Sequence, residues 1–167
     1  TVKDSGVNTF IVHARKGILK GLSPRQNRNI PPLNYQKVYS IKDDFPELEI
    51  IINGGIKNIS EAKNHLNYVD GVMLGRAAYD DPFMLSDIDS EIYANTKIEI
   101  SRKDLLTEYL DYVHLMTNKG YDPKIMLKHV FGLKKGEKDA KRFRVKVAEI
   151  MNSSSLVENK DELLSMV

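Results

Sequence analysis

Three short clusters in this sequence combine residue types that bind anions: His13-Ala14-Arg15, Asn53-Gly54-Gly55 and Gly75-Arg76. Glycines without a Cβ let a ligand approach the backbone N–H groups, and a helix opening after Asn53-Gly54-Gly55 would add a positive helix terminus. Arg76 offers a forked cation to the same anion. Singly, each cluster is a tight turn more readily than a site; jointly they favour a phosphate-bearing ligand. His13 and Arg15 are two apart on an extended run and so share a face. A histidine there is either a hydrogen-bonded structural residue or a ligand contact.

Other chemistries are disfavoured. The chain has no cysteine, which removes disulfides, thiolate metal sites and a thiol nucleophile. His13, His65, His114 and His129 show no ligand spacing with one another or with carboxylates, so no metal site is expected.

A second kind of chemistry lies near the C-terminal end. Lys134, Lys135, Lys138, Lys141, Arg142, Arg144 and Lys146 face only Glu137 and Asp139, a local charge of +5 in a chain of net +2, so the remainder is −3. Such a run is a solvated helix face or the footprint of a polyanion site. Lys141 and Arg144, three apart, share one helix face, with Phe143 and Val145 expected off it.

The elements that must position these residues can be read from periodicity. Thr9 to Arg15, Glu49 to Gly55 and Gly71 to Arg76 are short aliphatic runs of the buried-strand kind, the third starting near Val69. Helical patterns separate them, which makes the strands parallel neighbours in a β-α-β-α-β order. His13, Arg15, Asn53, Gly54, Gly55, Gly75 and Arg76 then gather on one rim, where parallel α/β folds keep their sites.

Between strands one and two, Lys16 to Leu33 is an eighteen-residue stretch without periodicity, holding two glycines and three prolines. It is a lid or binding loop, or else a solvated linker. Tyr35, Val38, Tyr39, Ile41 and Phe45 follow at helical spacing until Pro46. Asn58 with Glu61 reads as a capping box for a helix carrying Ala62, His65 and Leu66, and Asp80-Asp81-Pro82 starts a short helix through Met84, Leu85 and Ile88. Thr1 to Asn8 reads as the tail of a helix capped by Gly6, so the chain is expected to start inside a larger fold. Beyond a linker at 94–100 no strand signal remains: Ser101 with Asp104 caps a helix closed by Gly120, and three more fit Pro123–Phe131, Glu137–Met151 and Lys160–Met166. The fold class is therefore α/β plus all-α, with a boundary near residue 97.

At 167 residues, 41% hydrophobic and 29% charged, the composition is that of a globular protein. No run approaches the roughly 20 apolar residues of a membrane span, and no signal peptide opens the chain, so the expected location is cytoplasmic.

The strings His13-Ala14-Arg15-Lys16, Leu19-Lys20-Gly21-Leu22-Ser23-Pro24, Asn27-Arg28, Ile30-Pro31-Pro32-Leu33, Asn53-Gly54-Gly55-Ile56-Lys57, Asp70-Gly71-Val72-Met73 and Gly75-Arg76 closely resemble the tRNA-dihydrouridine synthase family, A type, nearly end to end. The 19–24 string is the most specific of them. The resemblance implies the C-terminal part of a TIM (β/α)8 barrel, about three β/α units over residues 1–97, followed by a helical tRNA-binding domain over 98–167. It implies FMN as cofactor, NADPH as reductant, and reduction of uridine to dihydrouridine at positions 20/20a in the tRNA D-loop.

By the same resemblance, Asn53, Gly54, Gly55, Gly75 and Arg76 match the FMN-phosphate residues and His13 the flavin-contacting histidine. Arg15 falls near the flavin ring or the uracil, and Arg25, Arg28, Lys141 and Arg144 on tRNA-contact positions, with Lys141 standing where arginine is more usual. The family's proton-donating cysteine and first five strands would precede Thr1, so no catalytic residue is expected here and the chain alone is expected to be inactive. Two other readings are a phosphate-binding barrel enzyme of different chemistry and a non-catalytic RNA-binding module.

Overall fold

The computed structural model describes residues 6–96, 98–153 and 156–167, the side chains of 153 and 156–158 excepted. Most of the helix tail expected over Thr1–Asn8 lies outside the described residues; Gly6 has φ +84°, the left-handed geometry of a capping glycine. The chain divides into two compact units, Thr1–Gly75 and Arg76–Val167.

In the first unit, β1 (Thr9–His13), β2 (Glu49–Asn53) and β3 (Gly71–Met73) form a parallel sheet in that order. Helix α2 (Tyr35–Asp44) crosses from β1 to β2, and α3 (Ile59–Leu66) from β2 to β3. Alternation decides which face is covered. Ile50 and Ile52 are fully buried and, with Val38, Ala62 and Val69, form a core on the helix side; a fully buried isoleucine contributes about 1.5–3 kcal/mol. The residues between them face the other way, where Ile11 is 55% exposed and Met73 37%. The register aligns His13 with Asn53 and Asn53 with Met73 across the strand ends.

β3 is shorter than expected because only Ile51–Asn53 pair with it. Ahead of that ladder, Asp70 takes over the pairing. Its N–H donates to the Ile50 carbonyl at 3.0 Å, and its carboxylate accepts from the Ile50 N–H and from Lys42 Nζ, each at 2.8 Å. Lys42, in the last turn of α2, also donates to the Pro46 and Leu48 carbonyls at 2.9 Å. One carboxylate and one ammonium thus tie the end of α2 to the entrances of β2 and β3.

The second unit is helical among the described residues. α4 (Arg76–Asp80), a 3₁₀ turn (Pro82–Asp87) and α5 (Ile88–Glu91) replace the single short helix expected there. α6 (Arg102–Asn118) starts at the capping box expected from Ser101 and Asp104, and Gly120 follows it at φ +90°. α7 (Pro123–Leu127) tightens into a 3₁₀ turn (Lys128–Val130), and α8 (Ala140–Ser153) and α9 (Leu156–Leu164) complete the unit. α8 starts three residues later than expected because Asp139 (φ +61°) sits in a left-handed conformation that a helix cannot incorporate. Leu106, Leu110 and Val113 of α6 pack with Phe143, Val147 and Ile150 of α8 and with Leu163 of α9. No helix among the described residues is long and apolar enough to cross a membrane.

The Asp70 carboxyl is held below the usual carboxylate range, first by the Ile50 N–H and then by Lys42. A depressed folded value means that the contribution is whole above the unfolded value and is lost as pH falls through the folded one. Asp70→Asn is therefore expected to cost about 1 kcal/mol at neutral pH, discounted for partial exposure. Thermal unfolding at pH 7 and in strong acid checks this: the gap between wild type and variant should close in acid, and a gap of constant size would refute the assignment.

Candidate functional site

The rim of the sheet in the first unit is built by strand ends. His13 closes β1 and Asn53 closes β2, side by side on the bare face; the Asn53 side-chain amide lies 2.7 Å from Met73 Sδ. Gly54 has φ +124° and Gly55 φ +74°, so the turn after β2 needs glycine for conformational reasons. Packing reinforces this. A Cβ on Gly55 would meet Leu33 Cδ1 at 2.6 Å, and one on Gly54 would lie 3.1 Å from Leu33 Cδ2 and 3.4 Å from His13 Cε1. Gly75, two residues past β3, is different: its φ is not positive, and a Cβ there would meet no atom within 4 Å. Nothing in the described fold demands glycine at that position, which fits the approach of an external group.

The two glycines do not open directly into a helix. Ile56, buried, and Lys57 and Asn58 intervene before α3. The start of α3 is closed by its own side chains, Asn58 Oδ1 accepting from the Glu61 N–H at 2.8 Å and Glu61 Oε2 from the Lys57 N–H at 2.8 Å. Glu61 thus reaches Lys57 rather than the Asn58 N–H of a reciprocal box. The start of α3 therefore offers this rim no free helix end. Arg76 is the first residue of α4 and belongs to the second unit.

The 16–33 stretch is more ordered than its composition predicts. It contains α1 (Pro24–Asn27), with a reciprocal capping box between Ser23 and Gln26. That Ser-x-x-Gln spacing is a readable helix start that sequence reasoning passed over. Asn27 pins the opening of the loop, its Oδ1 accepting from the Ile18 N–H at 2.8 Å and its Nδ2 donating to the Ile18 carbonyl at 2.9 Å. The base is closed by the Asn34 N–H donating to the Ala14 carbonyl at 2.7 Å, by an antiparallel bridge between Arg15 and Leu33, and by the Arg15 guanidinium on the Pro31 carbonyl. Arg15 Nε is buried without a hydrogen-bond partner. Arg25 and Arg28 are exposed on the closed loop.

Two residues that sequence reasoning did not place at the rim, Leu33 and Tyr35, stand behind it. Leu33 fills the space that the two glycines leave, and the Tyr35 hydroxyl donates to the Gly54 carbonyl at 2.8 Å. Tyr35 meets His65 edge-on at 4.4 Å, and the Tyr39 hydroxyl lies 2.6 Å from His65 Nδ1. Burial pushes the Tyr35 and Tyr39 phenols up and His65 down, with Glu61 opposing the shift at His65. The hydroxyls therefore keep their protons and the imidazole stays neutral.

In the second unit, α8 turns Phe143 fully inward and leaves Lys141, Arg142 and Arg144 exposed. Val145, expected off this face, is 50% exposed; four residues after Lys141, it shares its side of the helix. Much of the acidic counter-charge is already engaged. Glu137 pairs with Arg102 at 3.2 Å and Glu162 with Lys146 at 2.5 Å, while Lys134 donates to the Met166 carbonyl. Lys135, Lys138, Lys141, Arg142 and Arg144 make no ion pair among the described residues. The result is an exposed cationic face.

Comparison with known proteins supplies an independent line. Residues 1–166 match the family described as Dihydrouridine synthase (Dus). Three relatives, each named tRNA-dihydrouridine(20/20a) synthase, come from Pseudomonas putida, Pseudomonas syringae pv. tomato and Synechocystis sp. They are 43%, 44% and 43% identical to this chain over 143, 144 and 143 residues, which is 86% of the chain and 43% of each relative. The chain thus spans less than half the length of the curated relatives it matches. Since the family match covers both the glycine-bearing rim and the cationic helix, this chain belongs to the dihydrouridine synthase family.

Proposed function

We propose that this chain is the C-terminal part of a cytoplasmic, FMN-dependent tRNA-dihydrouridine synthase acting on D-loop uridines 20/20a. Residues 1–97 are three β/α units of a (β/α)8 barrel, and residues 98–167 a helical tRNA-binding domain. The observation that carries this reading is the match to the family over residues 1–166, with relatives of a single named activity. The sheet supports it: three parallel strands have helices on one face and a bare opposite face, as a segment of barrel wall would.

The rim residues suit an FMN phosphate. Gly54, Gly55 and Gly75 offer close backbone approach, and Arg76 a bidentate cation. His13 stands opposite Asn53 on the bare face; in this reading His13 contacts the flavin and Asn53 belongs with the phosphate residues. When bound, FMN supplies the hydride chemistry, with NADPH as reductant. Arg25 and Arg28 on the loop and Lys141 and Arg144 on α8 hold the RNA backbone, while Arg15, engaged with Pro31, works on the substrate side by closing the loop. The family resemblance implies a cysteine as the proton donor to uracil C5, and this chain has none.

In the full-length enzyme carrying this segment, Gly75→Val is expected to lower FMN occupancy at least several-fold, because the new side chain fills the open space beside the rim. Flavin absorbance after gel filtration measures it, and wild-type occupancy would remove Gly75 from the phosphate site.

Lys141→Ala with Arg144→Ala is expected to lower the slope of log K against log salt for tRNA by about two, roughly one per lost phosphate contact. An unchanged slope would take α8 out of the interface.

Residues 1–167 alone, given FMN, NADPH and unmodified tRNA, are expected to form no dihydrouridine above the no-protein control. Turnover there would mean that a group other than a thiol can protonate C5.

A further inference from the structure

We infer that Leu33 and Tyr35 latch the 15–33 loop to the Gly54–Gly55 turn, so that order in the loop and phosphate binding at the turn are coupled. This rests on the reading of that turn as a phosphate site. The contacting residues are remote in sequence, 19 apart for Tyr35 and Gly54. On the turn side, Tyr35 donates to the Gly54 carbonyl at 2.8 Å, and Gly54 is buried, so that without the hydroxyl the carbonyl loses a partner that solvent does not readily replace. Leu33 occupies the volume where side chains at 54 and 55 would stand, with Cδ1 2.6 Å from an ideal Cβ on Gly55. Leu33 therefore leaves little room for a side chain at either position.

On the loop side, Leu33 is the residue bridged to Arg15, and Arg15 in turn holds the Pro31 carbonyl. Asn34, between Leu33 and Tyr35, caps α2 through its side chain and donates its N–H to Ala14. Residues 31–35 are therefore continuous with the base of the loop at one end and with α2 at the other. A shift of the loop base moves Leu33 against the two glycines, and a shift of the turn pulls on the Tyr35 hydroxyl. Tyr35 is a positioning residue in this scheme: it touches the turn, not the ligand.

Tyr39 provides the control. It lies one turn further along α2 and spends its hydroxyl on the same buried His65, but makes no hydrogen bond to the phosphate turn. Tyr35→Phe and Tyr39→Phe each remove one hydroxyl from the same cluster and keep both rings, so general loosening affects them alike. Only the latch distinguishes them.

The experiment uses the full-length enzyme and two readouts: the FMN dissociation constant by fluorescence titration, and the rate of tryptic cleavage after Arg25 and Arg28 by mass spectrometry, with and without FMN. Expected for wild type is slower loop cleavage when FMN is bound. For Tyr35→Phe, FMN should bind about five-fold more weakly, the loss of one hydrogen bond, and the apo loop should be cleaved faster than in wild type. Tyr39→Phe should behave as wild type in both. Equal effects from the two variants, or a wild-type cleavage rate in Tyr35→Phe, would overturn the latch. Should the wild-type enzyme bind no FMN, the phosphate reading and its coupling to the loop fail, while the apo cleavage rates still show whether Tyr35 holds the loop.

Discussion

The first unit depends on the parallel pairing of β1 with β2, in which His13 stands opposite Asn53. A parallel pair cannot be closed by a tight turn, so its register has to be set by side chains at a distance. Here the setting comes from the alternation of Ile50 and Ile52 toward the helices, since a slip of one residue would turn both isoleucines to the bare face. Asp70 and Lys42 add a polar lock at the opposite end of the strands, where a single carboxylate answers a strand N–H and a helix ammonium. Everything at the rim is a consequence of that register.

The rim itself illustrates two uses of glycine. Gly54 and Gly55 are demanded by backbone geometry and by Leu33, and are thereby structural whatever else they do. Gly75 is demanded by neither. Internal packing leaves the choice of glycine at 75 unexplained, as it does at Gly17.

The cationic face of α8 is organised by subtraction as much as by clustering. Arg102 engages Glu137 while lying 4.0 Å above the Phe83 ring, and Lys146 engages Glu162. Arg102 and Lys146, both partly buried, have acidic partners, whereas the exposed Lys141, Arg142 and Arg144 of α8 make no ion pair among the described residues. Burial of Phe143, Val147 and Ile150 fixes the rotation of the helix and so decides which cations face outward.

The strands, the crossover helices, the capping box at Ser101 and the basic run of α8 were legible in the sequence because each depends on local periodicity or on a cap three residues away, which chain order alone records. The motif strings likewise carried the family, being a property of residue order. What the sequence did not disclose depends on contacts between residues 16 or more apart in the chain. Leu33 against Gly55, Tyr35 on the Gly54 carbonyl and Arg15 on Pro31 turn a stretch that reads as irregular into a closed loop seated on the Gly54–Gly55 turn. Left-handed Asp139 delays α8 through a backbone dihedral that the favourable helical composition of that segment conceals. Local physics determined the elements and their faces; only the tertiary structure decided which atoms stand behind the site, because the energy of those contacts comes from burial and hydrogen bonding between segments that are remote in the chain.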